Sequence, residues 1–161
     1  MGTRSEISIR DHWTDEQGRN HYSVIELWKH WDGYPEGIEE TLKSFVAFIN
    51  KSCDSQRHML FSAEDFAAML IASSYNDSKV MQEKYAKDYP DRGMDIYPDI
   101  RPRGFIDDSE YTYLIDLDGI NTNKLVVKVY DCQGSQRIRD SFKNGTERDP
   151  DSTFEVEVNL P

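Results

Sequence analysis

Between Tyr22 and Ile49 the spacing of apolar side chains changes period, and Asp32-Gly33 followed by Pro35 marks the place. Before it, Tyr22 to Trp31 is dense in β-branched and aromatic residues. Val24 and Trp28 fall on one face and Ile25, Leu27 and Trp31 on the other, which predicts a strand covered on both sides. After it, Ile38, Leu42, Phe45, Val46 and Ile49 recur at helical intervals, with Glu39 four residues before Lys43. Asp and Gly supply the turn, and Pro pre-sets φ for the first helical residue. A chain that makes this switch must pack a helix against a sheet, so all-helical and all-strand folds are excluded.

The rest of the chain extends the same alternation of elements. Thr3 to Arg10 alternates through Ile7 and Ile9 and predicts a strand with one buried face, joined as a hairpin to the next through a polar loop that contains Gly18. Ser62-Ala63-Glu64-Asp65 reads as a capping box ahead of Phe66, Met69 and Leu70, opening a second helix that runs to about Ser74. Ser78 to Lys87 is a third amphipathic piece, open to being continuous with the second, and it stops before Tyr89-Pro90. From Pro90 to Asp108, Tyr97-Pro98 and Arg101-Pro102 force extended backbone, in a connector long enough to suggest a role of its own. Glu110 to Leu117 and Lys124 to Tyr130 alternate on either side of Asp118-Gly119 as a hairpin would, and Phe154 to Leu160 alternates like a half-exposed edge strand. The order ββ-αα(α)-βββ predicts an α+β fold, a mainly antiparallel sheet of about five strands with helices packed on one face. The 161 residues suit a single domain over 1–161, in which the polar segment 133–152 is open to motion.

Charge narrows the partners. Nineteen Lys and Arg against thirty Asp and Glu give a net charge of -11, and Arg101-Pro102-Arg103 is the one local concentration of basic residues. Direct nucleic-acid binding is not expected of such a chain, because a protein that displaces phosphate counterions needs a basic stripe. An acidic surface can mimic nucleic acid, or meet a basic protein partner. No window approaches a membrane span and no secretory apolar region is present, so a soluble, cytoplasmic protein without membrane attachment is expected. Glu6 stands where a myristoylation motif needs Ser or Thr. Cys53 and Cys132 form no C-x-x-C and read as reduced thiols.

The chemistry-bearing motifs are few. Tyr113 to Gly119 is similar to the strand-end D-x-D-G of haloacid-dehalogenase-type phosphatases, but Ile120 replaces the hydroxyl residue and only about 40 residues follow. An ordinary acidic turn accounts for it better. The same stretch fails as a calcium loop because its twelfth position is Val127. His12, His21, His30 and His58 show no H-x-x-x-H or H-E-x-x-H spacing, so neither a metal nor a cofactor is expected.

What remains is Trp28 to Gly37. Two tryptophans, a tyrosine, an imidazole and carboxylates gather where a strand hands over to a helix N-terminus. Buried aromatics anchoring a turn would also explain this density. Arg4, His30, Trp31, Asp32 and Tyr34 are the candidate ligand-binding residues, with an Arg4 to Asp32 ion pair expected across the hairpin. With Met1-Gly2-Thr3-Arg4 ahead of it and His30-Trp31-Asp32-Gly33-Tyr34-Pro35 within it, the first fifty residues resemble a group of short proteins of phages, bacteria and archaea. These share an MGTR start and an HWDGYP-like motif and have no assigned activity. The resemblance implies kinship and no reaction.

Three functions follow as expectations. The leading one is a non-enzymatic interaction or regulatory module with an acidic surface and a protein partner. The alternative is a small hydrolase or nucleotide-modifying enzyme at the His30 to Tyr34 junction, with His30 as acid or base and Asp32 or Glu36 orienting it. The third is nucleic-acid mimicry. The final edge strand offers a second copy a place to pair as a homodimer.

Overall fold

The computed structural model describes residues 2–52, 62–93, 96–102, 109–117, 124–131 and 136–158. The first hairpin forms as expected: β1 (Ser5–Thr14) pairs antiparallel with β2 (Asn20–Lys29) in a register that sets Ile7 opposite Leu27 and Ile9 opposite Ile25. Gly18 makes the turn at φ 77°. Helix α1 (Pro35–Ser52) starts at the expected proline. The two amphipathic pieces that follow are one helix, α2 (Ala63–Asp88), whose N-cap Ser62 accepts a hydrogen bond from the Asp65 N–H. No Gly or Pro interrupts the stretch from Ser74 to Ser78, so nothing stops the helix there. The chain continues through β3 (Ile100–Pro102), β4 (Tyr111–Asp116), β5 (Lys124–Asp131), α3 (Gln136–Phe142) and β6 (Ser152–Glu157). The turn at Asp118-Gly119 lies outside the described residues, as do Cys53, His58 and Cys132.

Among the described residues the sheet has six strands, in the order β3-β2-β1-β4-β5-β6. That is one more than expected, and the addition is β3, three residues of the proline-rich connector laid antiparallel along β2. All pairs are antiparallel except the central β1 and β4, which run parallel with Ser5 opposite Tyr111. The fold is therefore α+β on a mostly antiparallel sheet, with β6 at one edge as its alternation predicts.

Helices α1 and α2 cover one face. Ile7, Ile9, Leu27, Tyr113, Ile115, Val127 and Val129 meet Ile38, Leu42, Phe45, Phe66 and Leu70 in one core, with the Phe45 and Phe66 rings 4.8 Å apart. The short α3 lies on the other face, where Ile138 and Phe142 pack on Leu114 and Tyr130. This second face also buries charge. Arg139 forms an ion pair with Glu6, both side chains almost fully enclosed. Arg10 donates in a fork to Glu147, at 2.8 and 2.9 Å, and also to Asp116 at 2.5 Å and the Phe142 carbonyl at 3.2 Å. The first strand thus has both faces covered from Ser5 to Arg10, where its alternation suggests one. Within the polar segment 133–152, residues 143–151 are tied down by Arg10, by the Tyr130 hydroxyl on the Arg148 carbonyl, and by the Asp151 N–H on the Val129 carbonyl.

Candidate functional site

The strand-to-helix junction is assembled by close backbone approach. Asp32 adopts a left-handed φ of 50°, a conformation that Asp tolerates better than most residues. The next residue, Gly33, donates its N–H to the Thr3 carbonyl at 2.8 Å, and its own carbonyl accepts the buried Tyr113 hydroxyl at 2.7 Å. A Cβ on Gly33 would lie 2.7 Å from Thr3 O and 2.8 Å from Ser5 Oγ, so only glycine fits beneath β1. Burial pushes the Tyr113 hydroxyl well above the ordinary tyrosine value, keeping it protonated as the donor. Gly37 is equally constrained, since its Cβ would stand 2.1 Å from Asp32 O.

Asp99, just before β3, holds the end of β2. Its carboxylate pairs with the buried Lys29 ammonium and accepts the Trp31 N–H at 2.9 Å, while its carbonyl accepts the His30 N–H at 3.1 Å. One residue on, the Ile100 N–H donates to Ser74 Oγ of α2 at 2.9 Å. Three parts of the chain are thereby fixed around a cleft of about 590 Å³. The junction contributes His30, Trp31 and Asp32; α2 contributes Ser78 and Met81; the segment at β3 contributes Tyr97, Asp99 and Arg101. The volume lies within the range of sites that hold small molecules or the side chains of a partner.

Its surfaces are mixed. Trp31, Tyr97 and Met81 are more than half exposed, at 54%, 59% and 67%, and form an apolar rim. The His30 ring is held edge-on between Trp28 at 4.9 Å and Trp31 at 4.4 Å, and its Nδ1 is buried without a hydrogen-bond partner among the described residues. Behind Trp31, the ring lies so close to Gly2 that a Cβ there would be 2.3 Å away. The guanidinium of Arg101 stands 5.8 Å from the centre of the Trp28 ring and 5.5 Å from that of Tyr97.

Of the five candidate residues, His30, Trp31 and Asp32 line this cleft. Tyr34 is exposed at the start of α1, its carbonyl taking the Ile38 N–H, and does not line it. Arg4 does not line it either, and its backbone carbonyl accepts the Glu110 N–H at 3.0 Å. The expected Arg4 to Asp32 ion pair is not formed among the described residues, because the approach of β1 to the junction is made by backbone groups of Thr3 and Gly33. Met81, Tyr97, Asp99 and Arg101 were not foreseeable as site residues by proximity in sequence. The signal present for three of them was the pair of X-Pro steps at 97–98 and 101–102, which straighten the connector into a wall.

The other motifs are occupied structurally. Asp116 serves Arg10 through Oδ2, while Asp118 and Asn121 lie outside the described residues. His21 pairs with Asp15 at 2.8 Å, and His12 stacks on Tyr22. Among the described residues no three His, Cys, Asp or Glu side chains converge as a metal site, and no helix is long and apolar enough to cross a membrane. Searches against protein-family models, curated proteins and solved structures find no match to this chain.

Proposed function

We propose that the chain is a non-enzymatic binding module of the cytoplasm, which recognises a protein partner through the cleft between the junction, α2 and β3. The supporting observation is the exposed rim of Trp31, Tyr97 and Met81 around a depression whose walls are cross-tied by Asp99 and Ser74. Aromatic side chains held before binding, as Trp31 is by the His30 ring and Tyr97 by the Arg101 guanidinium, offer contact area at small entropic cost. With a net charge of -11 around it, the favoured partner is basic near the contact. Self-pairing along β6 is a secondary contact in this reading, since Glu155 and Glu157 lie exposed on that strand and would repel their copies. The test is selection of a displayed library of internal peptides on the immobilised full chain. Enriched peptides are expected to lose about tenfold or more in affinity to Trp31→Ala and Tyr97→Ala, the size of a modest hot spot. Equal binding to both variants would remove the cleft from the reading.

A second reading keeps the small hydrolase or nucleotide-modifying enzyme, favoured by an imidazole and a carboxylate, His30 and Asp32, that line one cleft. It requires His30 to touch substrate. NMR of the His30 ring against a panel of nucleotides and sugars tests this, and an absence of any shift would retire it.

A further inference from the structure

The cleft is lined by a cation, Arg101, that forms no ion pair among the described residues, although Asp32 and Asp99 line the same cleft. Arg101 donates through Nε to the Pro98 carbonyl at 3.0 Å, and neither Nη atom has a hydrogen-bond or ion-pair partner among the described residues. The other cation at this corner, Lys29, is consumed by Asp99. The chain carries 30 Asp and Glu, yet this cleft-lining arginine forms no ion pair with any of those described. The rings of Trp28 and Tyr97 hold its guanidinium in place, so a planar fork is aimed without the entropy loss that a free arginine would suffer. His30 lines the same space, while its Nδ1, like the nearby Trp28 Nε1, is buried without a hydrogen-bond partner among the described residues.

Resting on the binding-module reading above, we propose that Arg101, seconded by His30, receives the C-terminal carboxylate of a partner protein whose last residue is apolar. A carboxylate matches the guanidinium fork with two parallel hydrogen bonds. A chain end carries its carboxylate and its last side chain on the same Cα, which suits a site where Arg101 and the apolar Met81 and Trp31 line one cleft. An internal Asp or Glu would present its carboxylate on a separate stem from any apolar group. Small anions and nucleic acids bring negative charge alone toward a surface of net -11, whereas a protein tail can also bring basic residues to Asp32, which lines the cleft exposed and with no ion-pair partner among the described residues. Capture of a terminal carboxylate is a known mode of peptide recognition.

The experiment uses the full chain, immobilised, and a degenerate octapeptide library synthesised twice, with a free C-terminal carboxylate and with a C-terminal amide. Recovery is read by mass spectrometry. The free-acid library is expected to be recovered about tenfold or more over the amide, as hydrogen bonds to a charged group imply, with Leu, Ile, Val, Met or Phe at the last position. Arg101→Gln is expected to bring that ratio close to one, with its fold checked by circular dichroism. The acid-to-amide ratio on the native chain decides the matter even if the variant fails to fold. Equal recovery of both libraries overturns carboxylate capture and leaves the binding reading standing. No recovery from either, together with failure of the internal-peptide selection, overturns both. Enrichment of acids with a random last residue overturns the apolar requirement. Displacement of the recovered peptides by indole-3-acetate at equal concentration overturns the partner class in favour of a small aromatic anion.

Discussion

Gly37 sits within the first turn of α1, where alanine would ordinarily strengthen a helix by about 1 kcal/mol. Here the sign reverses, because the added Cβ meets a backbone oxygen that cannot swing aside. Gly37→Ala is expected to lower stability by about 1–3 kcal/mol, the usual range for overpacking, as a fall in the urea midpoint. Arg10 and Glu147 make the other residue-scale case. Burial alone would push the Glu147 carboxyl up, but the hydrogen bonds from Arg10 and the nearby Lys128 outweigh it and hold it below its ordinary 4.5. A carboxyl lowered in the folded state contributes stability that is complete above the unfolded value and is lost as pH falls through the folded one. Glu147→Gln should therefore differ most from the native chain above pH 4.5, by about 2 kcal/mol, and the two urea midpoints should converge on acidification below it. None of this was legible beforehand. Glu6, Arg10, Arg139 and Glu147 look like solvated charges in an alternating or polar sequence, and contacts spanning more than 100 residues bury them.

Elements were legible where they carry their own punctuation. Pro35, the Ser62 cap and Pro90 bound the helices at the positions where the backbone needs them, and strands β1, β2, β4, β5 and β6 were each foreseen in place, although β1 runs on to Thr14 and β2 stops at Lys29, leaving Trp31 exposed beyond it. The two elements that escaped, β3 and α3, lack such a pattern: β3 is three residues ending in proline, and α3 uses Arg139 as a buried residue. Helix α2 has two unlike halves, since its buried residues run from Ala63 to Ser74 and none follows. Hydrogen exchange is expected to be slow for amides 66–74 and faster for 78–88, with protection spreading to Ser78 and Met81 when the cleft is filled. The tie between elements is equally testable. Asp99→Asn would leave the Lys29 ammonium, whose side chain is only 7% exposed, without its counter-charge, at a cost of about 3 kcal/mol. The urea midpoint should drop accordingly, and Trp31 fluorescence should change because asparagine keeps a single acceptor oxygen for the Lys29 ammonium and the Trp31 backbone N–H, which the two carboxylate oxygens serve separately.

At the scale of the molecule, the class and the mostly antiparallel sheet follow from the order of periodic segments. The strand order does not, because no local signal states that β1 takes β4 as its second neighbour. The candidate site shows the same division. Its junction half, His30 to Asp32, is contiguous and stood out in the sequence, whereas its other walls arrive from α2 and from the segment at β3 and are brought in by tertiary packing.

The parallel pairing of β1 with β4 sets a schedule for self-assembly. Ser5 must wait for Tyr111, so the β1–β2 ribbon keeps one flank bare until more than a hundred residues beyond Ser5 have been synthesised. Closure over such a span is entropically slow, and it should form the barrier to refolding. In stopped-flow experiments Ile115→Val, at the seam, is expected to retard refolding more than it accelerates unfolding. Until that seam closes, the nascent ribbon is a target for chaperones and for misdirected strand pairing.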